Sequence, residues 1–214
     1  MTSITAILLT LPSALVIGHS VEGRPIEAFH VGGSGPVVLV VGCIHGNECA
    51  ALPVIARLEG SHPEQEDLWV IPEANPDGTA HDVRGNAHGV DLNRNFPAGW
   101  KAGPRDGYYP GPRALSEPES RAVLAFIRRI KPAVTVWFHQ PQTVVRAWGR
   151  SRTAARRYAK AVGMRYRSEL WPAGAITRWQ NDHGETSFVV ELAPGPLSAA
   201  NVGHHVGALL HLAG

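Results

Sequence analysis

Three apolar runs in this chain stop on a residue that a hydrophobic core would not choose. "PVVLVVGCIH" ends at His45, "AVTVWFH" at His139 and "TSFVVE" at Glu191, and Glu48 follows His45 by three positions. Carboxyl ends of strands form the rim where ligands bind in open α/β sheets. Two imidazoles and two carboxylates at such a rim are the ingredients of a zinc site. A catalytic zinc takes three protein ligands and keeps one position for water. His45, Glu48 and His139 make a His2Glu set for one Zn2+ ion. Residues three apart on a first helical turn share a face, so His45 and Glu48 can reach one ion together, and Gly46 lets the chain turn sharply from strand to helix. Glu191 is then read as the general base, because a zinc-bound water has a pKa near 7 and a neighbouring carboxylate takes its proton as it attacks a carbonyl. Taken singly, a His-x-x-Glu pair is a weak signal, a strand-end His is a solvated side chain and a Glu in "VVEL" is an edge charge. Their joint occurrence at three strand ends carries the reading. It requires the two imidazoles to lie within about 8 Å of each other, since nitrogen–zinc bonds are about 2 Å.

A second group lies in "NPDGTAHDVRGNAHGVDLNRNFPAGW", residues 75–100, which holds Arg84, Asn93 and Arg94. Guanidinium and amide donors converge naturally on a carboxylate, with Arg supplying a two-pronged fork. An arginine beside zinc also stabilises the oxyanion of a tetrahedral intermediate. The structural alternative is that Asp91 pairs with Arg84 or Arg94 to hold the loop.

These side chains need a scaffold, and the pattern supplies one. "ALVIGHSVEGRPIEAFHV" reads as an opening hairpin around the "EG" turn. Residues 36–42, 133–139 and 186–192 read as buried strands, and 67–78 as a strand running into a turn. Helices are expected over 47–60 with a possible kink at Pro53, over 116–132 with a Ser116/Glu119 capping box, over 152–163 closed by Gly163, and over 198–214. Strands alternating with helices predict an α/β sandwich with helices on both sheet faces. The irregular stretch 74–115 is long enough to be functional.

Composition fits this plan. The chain has 214 residues, 44% hydrophobic and 18% charged, and a formal charge of +2. One catalytic domain over 1–214 is expected. The weak charge and the lack of a basic block argue against nucleic acid, and no run of about 18 apolar residues spans a membrane. The apolar opening, residues 1–20, lacks a basic n-region and reads as a strand after Pro12, so a signal peptide is not expected and a cytoplasmic location is favoured. Oligomeric state is left open. The two cysteines, Cys43 and Cys49, match no zinc-finger spacing; two small buried thiols are favoured over a disulfide.

"HGNE", "NPDG", "RGNAHGVDLNRNFP", the His of "WFHQ" and the Glu of "FVVEL" resemble the zinc metallocarboxypeptidases of the carboxypeptidase A type, and within them the short bacterial branch that includes murein tripeptide amidases. The resemblance covers roughly residues 17 to 195, and "GVDLNRNFP" is its most distinctive part. It implies a three-layer α/β/α sandwich on a mixed, mostly parallel sheet of about eight strands. It implies zinc on His45, Glu48 and His139, a carbonyl-polarising Arg84, a carboxylate clamp of Asn93 and Arg94, and Glu191 as base and acid. It further implies hydrolysis of an amide near a C-terminal carboxylate in a peptide or muropeptide, such as a γ-D-glutamyl–diaminopimelate bond. Arg146, Arg150 and Arg178 lie near rim segments and are candidates for an extra carboxylate. Two departures stand out. The family's mobile Tyr ahead of the catalytic Glu is missing, with Trp179 or His183 as candidates to cap the site, and Gln140 follows the ligand His where relatives carry small residues. The alternatives are a zinc deacylase of N-acyl amino acids and a non-catalytic binding module; the second should have lost Glu191 or a ligand, and neither is lost.

Overall fold

A computed structural model of the chain describes residues 14–63 and 65–212. Residues 1–13, where most of the apolar opening falls, lie outside them. The β-branched runs form the centre of an eight-stranded mixed sheet: β1 Ala14–His19, β2 Pro25–Gly32, β3 Val37–Val41, β4 Asp67–Ile71, β5 Val134–His139, β6 Val144–Ala147, β7 Arg165–Ser168 and β8 Thr186–Glu191. Their spatial order is β1-β2-β4-β3-β5-β8-β6-β7. Strands β4, β3, β5 and β8 run parallel as a central block, with β2 antiparallel to β4 on one side and β6 antiparallel to β8 on the other. The chain winds from β3 outward to β4, then returns to place β5 on the other side of β3. That reversal opens a crevice at the carboxyl ends of β3 and β5, the place where open α/β sheets bind ligands.

The described residues form six α-helices, of which α1, α3, α4, α5 and α6 pack on the sheet: α1 Leu52–Glu59, α2 Pro76–His81, α3 Pro118–Ile130, α4 Arg152–Ala161, α5 Ile176–Asp182 and α6 Ala199–Leu209. Alternation along the strands splits the core in two. Val38, Val40, Val136, Phe138 and Val190 pack with Leu58, Tyr158 and Leu209 of α1, α4 and α6. Leu39, Val41, Trp137 and Val189 pack with Phe126 and Ile127 of α3 and Ile176 of α5. Each such side chain contributes about 1.5–3 kcal/mol by leaving water. His139 and Glu191 share strand parity with Trp137 and Val189, so they sit on the α3/α5 face.

The hairpin, the three buried strands and the expected three-layer architecture are all present. Several details differ. The first helix begins at Leu52 rather than 47, because Pro53 occupies its first turn, where a missing N–H costs nothing. The Ser116/Glu119 capping box does not form: Pro118 fixes the start of α3, Glu117 is its N-cap, and Ser116 Oγ donates to Glu117 instead. The turn after β4 contains a short helix, α2, which Asn75 caps by accepting the Gly78 N–H at 2.9 Å. Cys43 and Cys49 are joined in a disulfide, not left as thiols; the tight turn between them brings their Cα atoms to 5.0 Å, within the usual range for a bridge. Among the described residues, no helix is long and apolar enough to cross a membrane.

Candidate active site

His45 lies four residues beyond β3, on the turn that leads into α1. The Glu48 N–H donates to the His45 carbonyl at 3.1 Å, so the two ligand candidates are joined by a single turn rather than by the first turn of the helix. The consequence for spacing is the same, since an i→i+3 turn puts both side chains on one side. The role of Gly46 is different from the one its flexibility suggests. A Cβ there would lie 1.8 Å from the carbonyl carbon of Gly78, so the requirement is the close approach of the ligand turn to α2. The residue with a left-handed backbone in this turn is Cys43, φ 41°.

His139 enters from the end of β5. Its Nδ1 is 3.2 Å from His45 Nδ1, and Glu48 Oε2 is 2.9 Å from each. The ring centroids are 4.8 Å apart, well inside the limit that a shared ion allows. One ligand atom from each of the three residues can be chosen so that all lie within 4.8 Å of one another, a grouping that could hold a metal ion. Bonds of about 2 Å in tetrahedral geometry place donor atoms roughly 3.3 Å apart, so this donor set fits one zinc ion. The other nitrogen of His45, Nε2, lies 3.0 Å from Asp91 Oδ1. A carboxylate behind a histidine fixes its tautomer and leaves Nδ1 for the metal.

Electrostatics keep the two carboxylates ionised and His139 neutral, while His45 is pushed toward its charged form. Burial works against the Glu48 charge, but hydrogen bonds from His139 and His45 outweigh it and hold the carboxyl far below the ordinary range. Asp91 is likewise buried yet held low by His45. Burial pushes His45 down too, and its two carboxylate partners more than offset this. Burial dominates at His139 and favours the neutral ring that a ligand requires.

Arg84 makes the pairing with Asp91 that the structural alternative expects, and adds one to Glu48. Its Nε and Nη2 donate to Asp91 at 3.0 and 2.9 Å, and its Nη1 donates to Glu48 Oε1 at 2.8 Å. A guanidinium has five N–H donors, so one on each terminal nitrogen is left. Asn93 and Arg94 sit in a 3-10 turn, Leu92–Arg94, that Asp91 caps by accepting the Asn93 N–H. Arg94 donates to the Asn93 carbonyl at 2.9 Å, and no carboxylate among the described residues lies within ion-pair distance of it. Glu191 pairs with His139 in the β5–β8 register. Its Oε1 accepts from Gln142 at 3.2 Å and Arg146 at 3.3 Å, and its Oε2 has no hydrogen-bond partner among the described residues.

All seven residues line one cleft of about 240 Å3. Other rim residues resolve differently from expectation. Trp179 is buried in the core and stacked with His183, and neither lines the cleft. The aromatic at the mouth is Tyr108, 60% exposed, with Arg84 at 4.9 Å and Arg94 at 5.5 Å from its ring centroid. Sequence reading missed it because nothing near it marks a long loop as returning to the rim. Gln140 lines the cleft, yet its side chain accepts the Ala50 N–H and donates to Ala193 and Gly195, so it clamps loops together. Of Arg146, Arg150 and Arg178, only Arg146 lines the cleft; Arg150 donates to the Gly184 carbonyl and Arg178 lies 3.8 Å from Asp182.

Comparison with known proteins places this geometry. The zinc carboxypeptidase family profile matches residues 62–195, a span that holds Arg84, Asn93, Arg94, His139 and Glu191. Murein peptide amidase A of Escherichia coli K12 is 36% identical over 139 residues, which cover 58% of this chain and 57% of that protein. The aligned part thus spans little more than half of that curated relative. The solved structure of murein-tripeptide amidase from Escherichia coli O157 superposes with a TM-score of 0.81 at 28% identity, covering 94% of this chain and 91% of that one. Carboxypeptidase A from Helicoverpa armigera shares the fold alone, with a TM-score of 0.78 at 19% identity over 94% of this chain and 67% of its own. The chain belongs to the zinc carboxypeptidase family.

Proposed function

We propose that this chain is a zinc-dependent peptidase that hydrolyses an amide bond next to a C-terminal carboxylate, and that its substrates are peptidoglycan-derived peptides cleaved at a γ-D-glutamyl–diaminopimelate bond. The observation that carries the reading is the convergence of the His45/Glu48/His139 cluster, Glu191 and the Arg84/Asn93/Arg94 group on one cleft. The murein substrate is supported by likeness to an enzyme named as a murein peptide amidase.

His45, Glu48 and His139 hold the metal. Zinc, when bound, acidifies water and polarises a carbonyl. Asn93 and Arg94 receive the substrate's terminal carboxylate, which supplies the charge partner that Arg94 lacks. This fixes the scissile carbonyl toward the two unused N–H groups of Arg84, where charge develops in the transition state. Glu191 Oε2, free of other hydrogen bonds, takes a proton from the attacking water and passes it to the leaving amine. Its place one strand over from His139 keeps that transfer short.

The test is mass analysis of products from muropeptides, ordinary peptides and N-acyl amino acids, each with and without a chelator. Chelator-sensitive release of diaminopimelate supports the proposal. Release of fatty or succinyl groups from N-acyl amino acids, with peptides left intact, would replace it with deacylation.

A further inference from the structure

We infer that Arg146 and Trp171 form the subsite for a second carboxylate of the substrate, on the side chain of the residue whose main-chain carboxylate Asn93 and Arg94 hold. This rests on the peptidase reading above and names what selects the substrate within it.

Val144 of β6 faces Glu191 of β8, and Arg146 faces Val189, so Arg146 and Glu191 are diagonal neighbours on the same side of the sheet. Arg146 is anchored at its far end by Glu169, 3.1 Å from Nη2, and reaches Glu191 at 3.3 Å from Nη1. Its guanidinium lies 5.6 Å from the Trp171 ring centroid. Both residues line the cleft. Both also carry a buried donor that goes unused: among the described residues, Arg146 Nε and Trp171 Nε1 find no acceptor. Trp171 is 3% exposed. A buried N–H without a partner costs about 1–3 kcal/mol, so two at one wall of a substrate cleft point to an acceptor that arrives with the substrate.

A carboxylate fits better than a neutral acceptor, because a guanidinium and an indole N–H side by side offer charge together with directed hydrogen bonds. Apolar Ala175 and Val189 complete the wall and fit the methylene stem of such a side chain. The nearby charges support the same occupant: after burial, which is the main cause, Arg84 and Arg146 add to the pressure that lowers the Arg94 pKa, and a ligand with two negative groups relieves it. Because Arg146 also donates to Glu191, a side-chain carboxylate that draws Arg146 toward itself loosens that contact at the reacting end. The preference should therefore appear in kcat as well as KM.

Diaminopimelate and lysine differ only by the distal carboxylate, which makes them the deciding pair. The zinc-loaded enzyme should cleave L-Ala-γ-D-Glu-meso-diaminopimelate with a kcat/KM about 10- to 100-fold above that for the lysine peptide, the size of a charge-assisted hydrogen bond. Arg146→Met and Trp171→Phe should each lower that ratio at least about fivefold, with Arg146→Lys recovering part of it. Calorimetric binding of free meso-diaminopimelate against lysine, in the parent and in Arg146→Met, reads the subsite without turnover. Arg146-dependent binding of diaminopimelate with no peptide cleavage keeps the subsite and sinks the reaction. Cleavage of both peptides at equal efficiency, or a ratio unmoved by both variants, keeps the reaction and overturns the subsite.

Discussion

His139 and Glu191 are the last residues of neighbouring parallel strands and stand opposite each other in register. One rung of the sheet therefore carries a metal-ligand candidate and the proposed base. Replacing Glu191 with Gln keeps shape and burial but removes the proton acceptor. Turnover should fall about 100- to 10,000-fold with zinc content unchanged by atomic absorption. Near-parent turnover would remove Glu191 from the role of base.

Asp91 touches the proposed metal only through His45. Asp91→Asn should weaken zinc binding about 10- to 100-fold in a competition titration with a coloured chelator, while Glu48→Gln, which replaces a ligand, should cost more. Equal retention in both variants would contradict the assignment of the cluster as the zinc site.

Arg84 and Arg94 are close to the same Tyr108 ring, and the proposed mechanism gives them separate jobs. Arg94→Ala removes a ground-state contact and should act mainly on KM. Arg84→Ala removes the proposed oxyanion donor and should lower kcat about 100- to 1000-fold. Steady-state kinetics with one peptide separates them; identical profiles would merge the two roles.

Gly46→Ala places a methyl into the Gly78 backbone and must displace the turn that carries His45 and Glu48. We expect a loss of about 3 kcal/mol in urea unfolding together with reduced zinc stoichiometry. A variant with parental stability and full zinc would show that the turn can give way.

His205 gives a pH signature remote from the site. Burial, and secondarily the charge of His204, push its pKa down to about 4 from 6.5, and its Nδ1 is hydrogen-bonded to the Tyr158 hydroxyl at 2.7 Å. The folded state disfavours the protonated ring, so this stability is present above pH 6.5 and is lost as pH falls toward 4, up to about 3 kcal/mol. In His205→Gln the decline between pH 6.5 and 4 should be shallower. Parallel curves for the two proteins would argue against buried neutral His205.

The sequence made the central strands legible because their β-branched runs are buried on both faces and end abruptly on polar residues. It located His45, Glu48 and His139 by type and position, and the fold brings them together. It did not reveal β6 or α5, which are short and lack a clean period: β6 is four residues and α5 seven. The capping box was misplaced because Pro118 overrides a side-chain cap. The sequence favours two thiols over the disulfide because six residues of separation say nothing about the turn that folds Cys49 back toward Cys43. Tyr108 and Trp171 were invisible for a related reason: long-range loop paths leave no periodic trace.

Tyr108 sits on a stretch pinned at its base by Asn95, whose amide donates to the Pro110 and Arg113 carbonyls and to Ser116 Oγ. Its tip, residues 101–108, is exposed. The doorway to the cleft and the chemistry behind it thus belong to separately mutable parts of the chain. Drift in that tip can change what gains entry while the strand ends that carry His139 and Glu191 are inherited intact.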